Sequence, residues 1–126
     1  HDAPYLFGRA APTAAETAEL RALAIVQKRL GAAHLNTAVA LHNMGAIYLK
    51  QEKFKEGEKY LRQALAAKEK ALKPSHLSIA HTLDNLAAAL EGQGRQIEAA
   101  KYKRRADGIR VGARAPAKAG ISKKFL

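Results

Sequence analysis

The sequence contains no cysteine and no tryptophan, and aromatic residues fill only 6% of its 126 positions. The missing cysteine excludes disulfide frameworks, thiolate metal sites and cysteine nucleophiles. The scarcity of aromatics argues against a β-sandwich, whose strands favour aromatic and β-branched side chains. No apolar run approaches the roughly 20 residues that a membrane-spanning helix needs. No segment reads convincingly as a strand, so no glycine-rich phosphate loop follows one. No secretory leader is visible. The first residue is His1 rather than Met, as expected of a processed chain or one cut from a longer one. The compartment is left open between the cytoplasm and, if a leader has been removed, the bacterial periplasm or beyond.

What is present is alanine, leucine and positive charge. Apolar residues make up 48% of the chain, with alanine a large share, and such a core suits closely packed helices. The net charge of +11 is uneven, because nine of the 22 Lys and Arg but only one of the 11 acids (Asp107) lie from Lys101 onward. The basicity therefore belongs to the end of the chain. It would attract polyanions such as nucleic acid, acidic proteins or lipid headgroups, or serve as a solubilising end.

An internal repeat organises the rest. Displaced by 42 positions, His34 falls on His76, Leu41 on Leu83, Asn43 on Asn85 and Gln51 on Gln93. Glu56 falls on Glu98, Tyr60 on Tyr102, Arg62 on Arg104 and Ala64 on Ala106. Shared alanine content does not produce matched His, Asn, Gln and Tyr. A partial earlier copy places Ala22, Leu23 and Ala24 before Ala64, Leu65 and Ala66.

Each unit reads as two helices. Leu41, Met44, Gly45 and Tyr48 recur at helical spacing, as do Leu83, Leu86, Ala87 and Leu90 one unit later. The short polar turns Gln51-Glu52-Lys53 and Gly92-Gln93-Gly94-Arg95 force antiparallel pairs. Thr13 and Glu16 form a capping box, and Gly31 is placed to end the helix that follows. The spacing predicts helices over 13–30, 35–50, 54–72, 77–91 and 95–109. The domain plan is an extended segment 1–12, a repeat domain 13–110 (helix 13–30, unit 34–72, unit 76–110) and a basic flexible tail 111–126.

On these residues the chain resembles the tetratricopeptide repeat family. Leu41, Met44, Gly45 and Tyr48 match the family's large, large, small, aromatic pattern, and Phe54, Gly57, Leu61 and Ala64 match that of its second helix. The period exceeds the family's usual ~34 residues. It is similar to the long variant of kinesin light chains and many bacterial proteins, whose second helix gains about two turns. Gln96 and Lys103 depart from the pattern, where an aromatic and a large apolar residue are usual. The resemblance implies an all-α fold of antiparallel helix hairpins stacked as a short right-handed α-solenoid of about five helices.

It also implies a concave groove lined by the first helix of each unit. That groove would comprise Val39, His42, Asn43, Ala46, Leu49 and Lys50, then His81, Asp84, Asn85, Ala88 and Glu91. Asn43 and Asn85 can each donate to and accept from a bound peptide backbone, or bond the neighbouring helix instead. The first expectation is a non-enzymatic protein- or peptide-binding scaffold with no cofactor and no metal. A second is an anionic-surface or nucleic-acid binder using Lys101, Lys103, Arg104, Arg105, Arg110 and Arg114. A third is a homo-oligomer assembled through the first helix, which lacks a partner helix. That partner could be the segment Pro4-Tyr5-Leu6-Phe7, a second copy, or residues of a longer chain that this sequence does not include.

Other chemistry is thinly supported. His34 and His76 precede helix starts, where capping competes with metal binding. His81 and Asp84 share a helix face, which permits a His–carboxylate bond, but no nucleophile or metal accompanies them. Ser75 and Ser78 sit where Ser commonly caps a helix.

Overall fold

The computed structural model describes residues 13–31 and 34–114. Five helices follow one another: α1 (Ala14–Leu30), α2 (Leu35–Lys50), α3 (Phe54–Ala71), α4 (Leu77–Glu91) and α5 (Gln96–Arg114). No strand occurs among the described residues. Each helix packs on the next, and α2 also touches α4, so the first helices of the two units lie side by side. Residues 1–12 and 115–126, including Pro4-Tyr5-Leu6-Phe7, lie outside the described residues.

Local chemistry sets the boundaries. Thr13 Oγ1 accepts from the Glu16 amide (3.1 Å) while Glu16 Oε1 accepts from the Thr13 amide (3.3 Å), closing the capping box. His34 and His76 each cap a helix: their Nδ1 atoms accept from the amides of Asn36 and Ser78, both at 3.0 Å. Ser78 is thus the capped residue, not the cap. The two inter-helix turns share a left-handed residue at equivalent places, Glu52 (φ 59°) and Gly94 (φ 78°). The last helix runs to Arg114 rather than stopping near 109. Gly112 weakens a helix without ending it, and the first proline in this stretch is Pro116.

Two apolar clusters hold the stack. Leu61, Leu65, Ile79, Leu83, Leu86 and Leu90 join α3 and α4 to Ala99 and Ala106 of α5. Leu23, Leu41, Met44 and Ala64 join α1, α2 and α3, flanked by Tyr48 and Tyr60, whose rings stack at 5.5 Å. The close α2–α3 crossing needs Gly45. A Cβ there would lie 2.5 Å from Leu61 Cγ and 3.3 Å from the Gly57 carbonyl oxygen.

A polar lock repeats with the fold. Glu16 of α1 is buried, and its Oε1 accepts from Gln51 Nε2 at 2.7 Å, with Lys53 Nζ 3.9 Å away. One unit later Glu58 Oε1 accepts from Gln93 Nε2 (2.9 Å) and from Arg95 (2.7 Å). Each carboxylate thus fastens a second helix to the turn of the following unit.

Candidate functional site

The helical period decides which side chains α2 and α4 turn toward each other. Val39, His42, Asn43 and Ala46 project from one face of α2, and His81 and Asn85 from α4. Together with Lys68 of α3 they line a cavity of about 390 Å³. Six of the eleven groove residues expected from the sequence therefore share one space, and both asparagines are among them.

The other five lie elsewhere. Leu49 packs against the apolar core beside Gly57, because the close α2–α3 approach draws it inward. Lys50 and Ala88 are exposed beyond the cavity. Asp84 is held by Arg110, at 2.6 and 3.3 Å, instead of by His81. Glu91 pairs with Lys103.

A buried hydrogen-bond chain forms one wall. Asn85 Nδ2 donates to His42 Nε2 (3.1 Å), which leaves the ring proton on Nδ1 to be donated to Thr82 Oγ1 (2.9 Å). The Thr82 hydroxyl donates to the Ser78 carbonyl (3.3 Å). Lys68 Nζ donates to the same Thr82 oxygen (2.7 Å) and to the Ser78 carbonyl (3.2 Å). Of the two asparagines, Asn85 bonds the neighbouring helix, while Asn43 is exposed to solvent.

Electrostatics keeps this wall neutral at its histidine. Burial, then the positive charge of Lys68 and the neighbouring His81, push the His42 pKa down to about 4. The two rings lie 4.8 Å apart at 50°. Burial also lowers the pKa of Lys68.

Lys68 and Thr82 are the residues that sequence reasoning missed, although a signal existed. Leu61, Leu65, Lys68 and Leu72 fall at helical spacing on the apolar stripe of α3, and Thr82 falls among Ile79, Leu83 and Leu86 on that of α4. A lysine on a buried stripe marks a site because long charged side chains are rarely interred without a partner.

The basic residues of α5 are largely engaged. Lys103 pairs with Glu91, Arg105 with Glu69, and Arg110 with both Asp84 and Asp107. Lys101 and Arg104 are exposed. Arg114 closes α5, and its side chain lies outside the described residues.

These features define a class: helix pairs stacked in register, with the first helix of each pair lining a common inner face. The tetratricopeptide repeat family model matches residues 12–70 and again residues 38–106. The chain belongs to the tetratricopeptide repeat family, and its general role is that of a protein-interaction scaffold. No curated protein matches the chain. Among the described residues no helix is long and apolar enough to cross a membrane.

Proposed function

We propose that the chain is a non-enzymatic scaffold that holds a protein or peptide segment in the groove between α2 and α4. The observation that carries this reading is the cavity in which Val39, Asn43 and Ala46 of one unit face His81 and Asn85 of the next. It combines apolar contact (Val39 is 44% exposed) with amide and imidazole groups that can pair with a peptide backbone. Capture of partners by the native chain and by an Asn43→Arg/Ala46→Glu variant tests it. The variant should keep its helical circular dichroism and melting temperature and lose the partner. Equal recovery by both proteins would overturn groove binding.

A second reading has one specific support. Ile25 (57% exposed) and Leu30 (44%) leave an apolar face on α1, the side on which a preceding helix of the repeat would pack. A second copy seated on α1 would bury that face. A strictly monomeric mass at high concentration removes this reading. The anionic-surface reading is weakened by the acids that pair with Lys103, Arg105 and Arg110.

A further inference from the structure

Lys68 of α3 is the one buried lysine among the described residues, at 3% exposure, and it lines the cavity. Both of its partners are uncharged acceptors: Nζ donates to Thr82 Oγ1 (2.7 Å) and to the Ser78 carbonyl (3.2 Å). Among the described residues no Asp or Glu pairs with it. The cation one repeat later is treated differently. Arg110, 42 residues on, meets Asp84 at 2.6 Å, whereas His42 holds the place of that carboxylate in the first unit. The neutral His42 ring gives its own proton to the same Thr82 oxygen (2.9 Å). This partner set fits a free amine better than an ammonium. An amine has two N–H groups and a lone pair, and two acceptors are present. An ammonium adds a third N–H and a charge that nothing beside it balances. Burial accordingly pushes the Lys68 pKa down.

We propose that Lys68 is a carbonyl-reactive amine, a modification site at which a short aliphatic aldehyde entering the cavity is captured as an imine. The cavity of about 390 Å³ has room for a short chain, and Val39 and Ala46 offer it apolar contact. The Nζ lone pair attacks the carbonyl carbon, a C–N bond forms, and the carbonyl π pair passes to oxygen. Both amine protons then leave with that oxygen as water, and the C=N bond remains. No oxidant or reductant takes part. The Thr82 hydroxyl, relieved of the Lys68 N–H, stands ready to donate to the imine nitrogen. An anion gains no charge pairing from a neutral amine, which is why the class is an aldehyde and not a carboxylate or phosphate. The chemistry ends at the adduct, so the protein remains a scaffold that carries a modification. The assignment goes beyond the groove reading and stands whether or not a protein segment docks there.

The test is reductive trapping on the full chain. Butanal is added with sodium cyanoborohydride, which reduces the imine to a stable secondary amine, and labelling is quantified at each lysine by mass spectrometry after digestion. An ordinary solvated lysine is a free amine in only about one molecule in 2,500 at pH 7, and each unit of lowering raises that about tenfold. Lys68 should therefore be labelled roughly tenfold faster, or more, than the exposed Lys70 and Lys101. Its rate should level off at a lower pH than theirs. Excess sodium butyrate, which has the chain but no aldehyde, should leave the Lys68 rate unchanged. His42→Asp gives the first unit the carboxylate that the second has and holds Lys68 as an ammonium, so labelling should fall at Lys68 and stay the same at Lys70. The comparison among lysines of the native chain needs no variant and decides the matter even if His42→Asp does not fold. Labelling of Lys68 no faster than of Lys70, or a pH profile parallel to that of Lys70, would overturn the assignment. So would protection of Lys68 by butyrate, the mark of a paired ammonium, or a folded His42→Asp protein labelled at Lys68 like the native chain.

Discussion

Acid should weaken this fold through one histidine. His42 is buried against Thr82 and Asn85, and its pKa falls from the usual 6.5 to about 4. Below about pH 6.5 the unfolded chain takes up a proton at this ring, whereas the folded chain resists until about pH 4. Across that window the unfolded state binds more protons, so stability falls as acid is added. Each pKa unit corresponds to about 1.4 kcal/mol, which gives roughly 3 kcal/mol in all. The imidazole borders the open cavity, so water screens part of this, and about 2 kcal/mol is a fair lower figure. Urea unfolding at several pH values measures it, with His42→Gln as the comparison that cannot titrate. Glu16, Glu58 and Glu98 also lose stabilising interactions in acid, but they do so equally in both proteins and cancel. Between neutral pH and about pH 4 the native chain should lose roughly 2–3 kcal/mol more than His42→Gln. Parallel stability profiles would refute the reasoning, as would an NMR titration placing His42 near its ordinary value.

Glycines separate tight contact from open space. Gly45→Ala drives a methyl into the fully buried Leu61 and should cost about 1–3 kcal/mol, read as a lower melting temperature. Gly108→Ala meets nothing within 4 Å and should stabilise α5 by roughly 0.5–1 kcal/mol through helix propensity alone. Glu52→Gly relieves a left-handed glutamate at the place where the second unit has Gly94. The gain should be up to about 1 kcal/mol, offset in part by the greater freedom of glycine in the unfolded chain. Glu58→Ala removes an acceptor shared by Arg62, Gln93 and Arg95, while Gln93 keeps the Ala89 carbonyl and Arg95 keeps Glu98, and should cost about 1–2 kcal/mol at neutral pH. Burial pushes the Glu58 carboxyl up, but bonds from Gln93 and Arg62 and the charge of Arg95 outweigh it and hold the pKa below its ordinary value. The cost should therefore shrink once acid has protonated Glu58 in the native chain, and a penalty unchanged at low pH would count against the lock.

The fold was legible because three of the five helix starts are written in local chemistry. Thr13 and Glu16 cap α1, His34 and His76 cap α2 and α4, and the 42-residue period fixes which apolar stripes must meet. The end of α5 was less legible: the spacing predicts an end near 109, but the helix continues through Gly108 and Gly112 to Arg114. The site was half legible. Its face on α2 and α4 follows from helical spacing, but its chemistry depends on a third helix, α3, and on what is absent from it. Lys68 looks like one more charge in a basic sequence until its burial is known. Glu16 and Glu58, also 42 residues apart, look like ordinary solvated acids until Gln51 and Gln93 are seen to meet them. In both cases the informative feature is a comparison between units. The Glu–Gln lock is kept in both and holds the stack together. The cation–carboxylate pair is kept in the second unit and left open in the first, at the wall of the cavity. The difference has a physical reason in each unit: Arg110 meets Asp84, whereas the ring of His42, at the place of that carboxylate, bonds Thr82 and Asn85 instead.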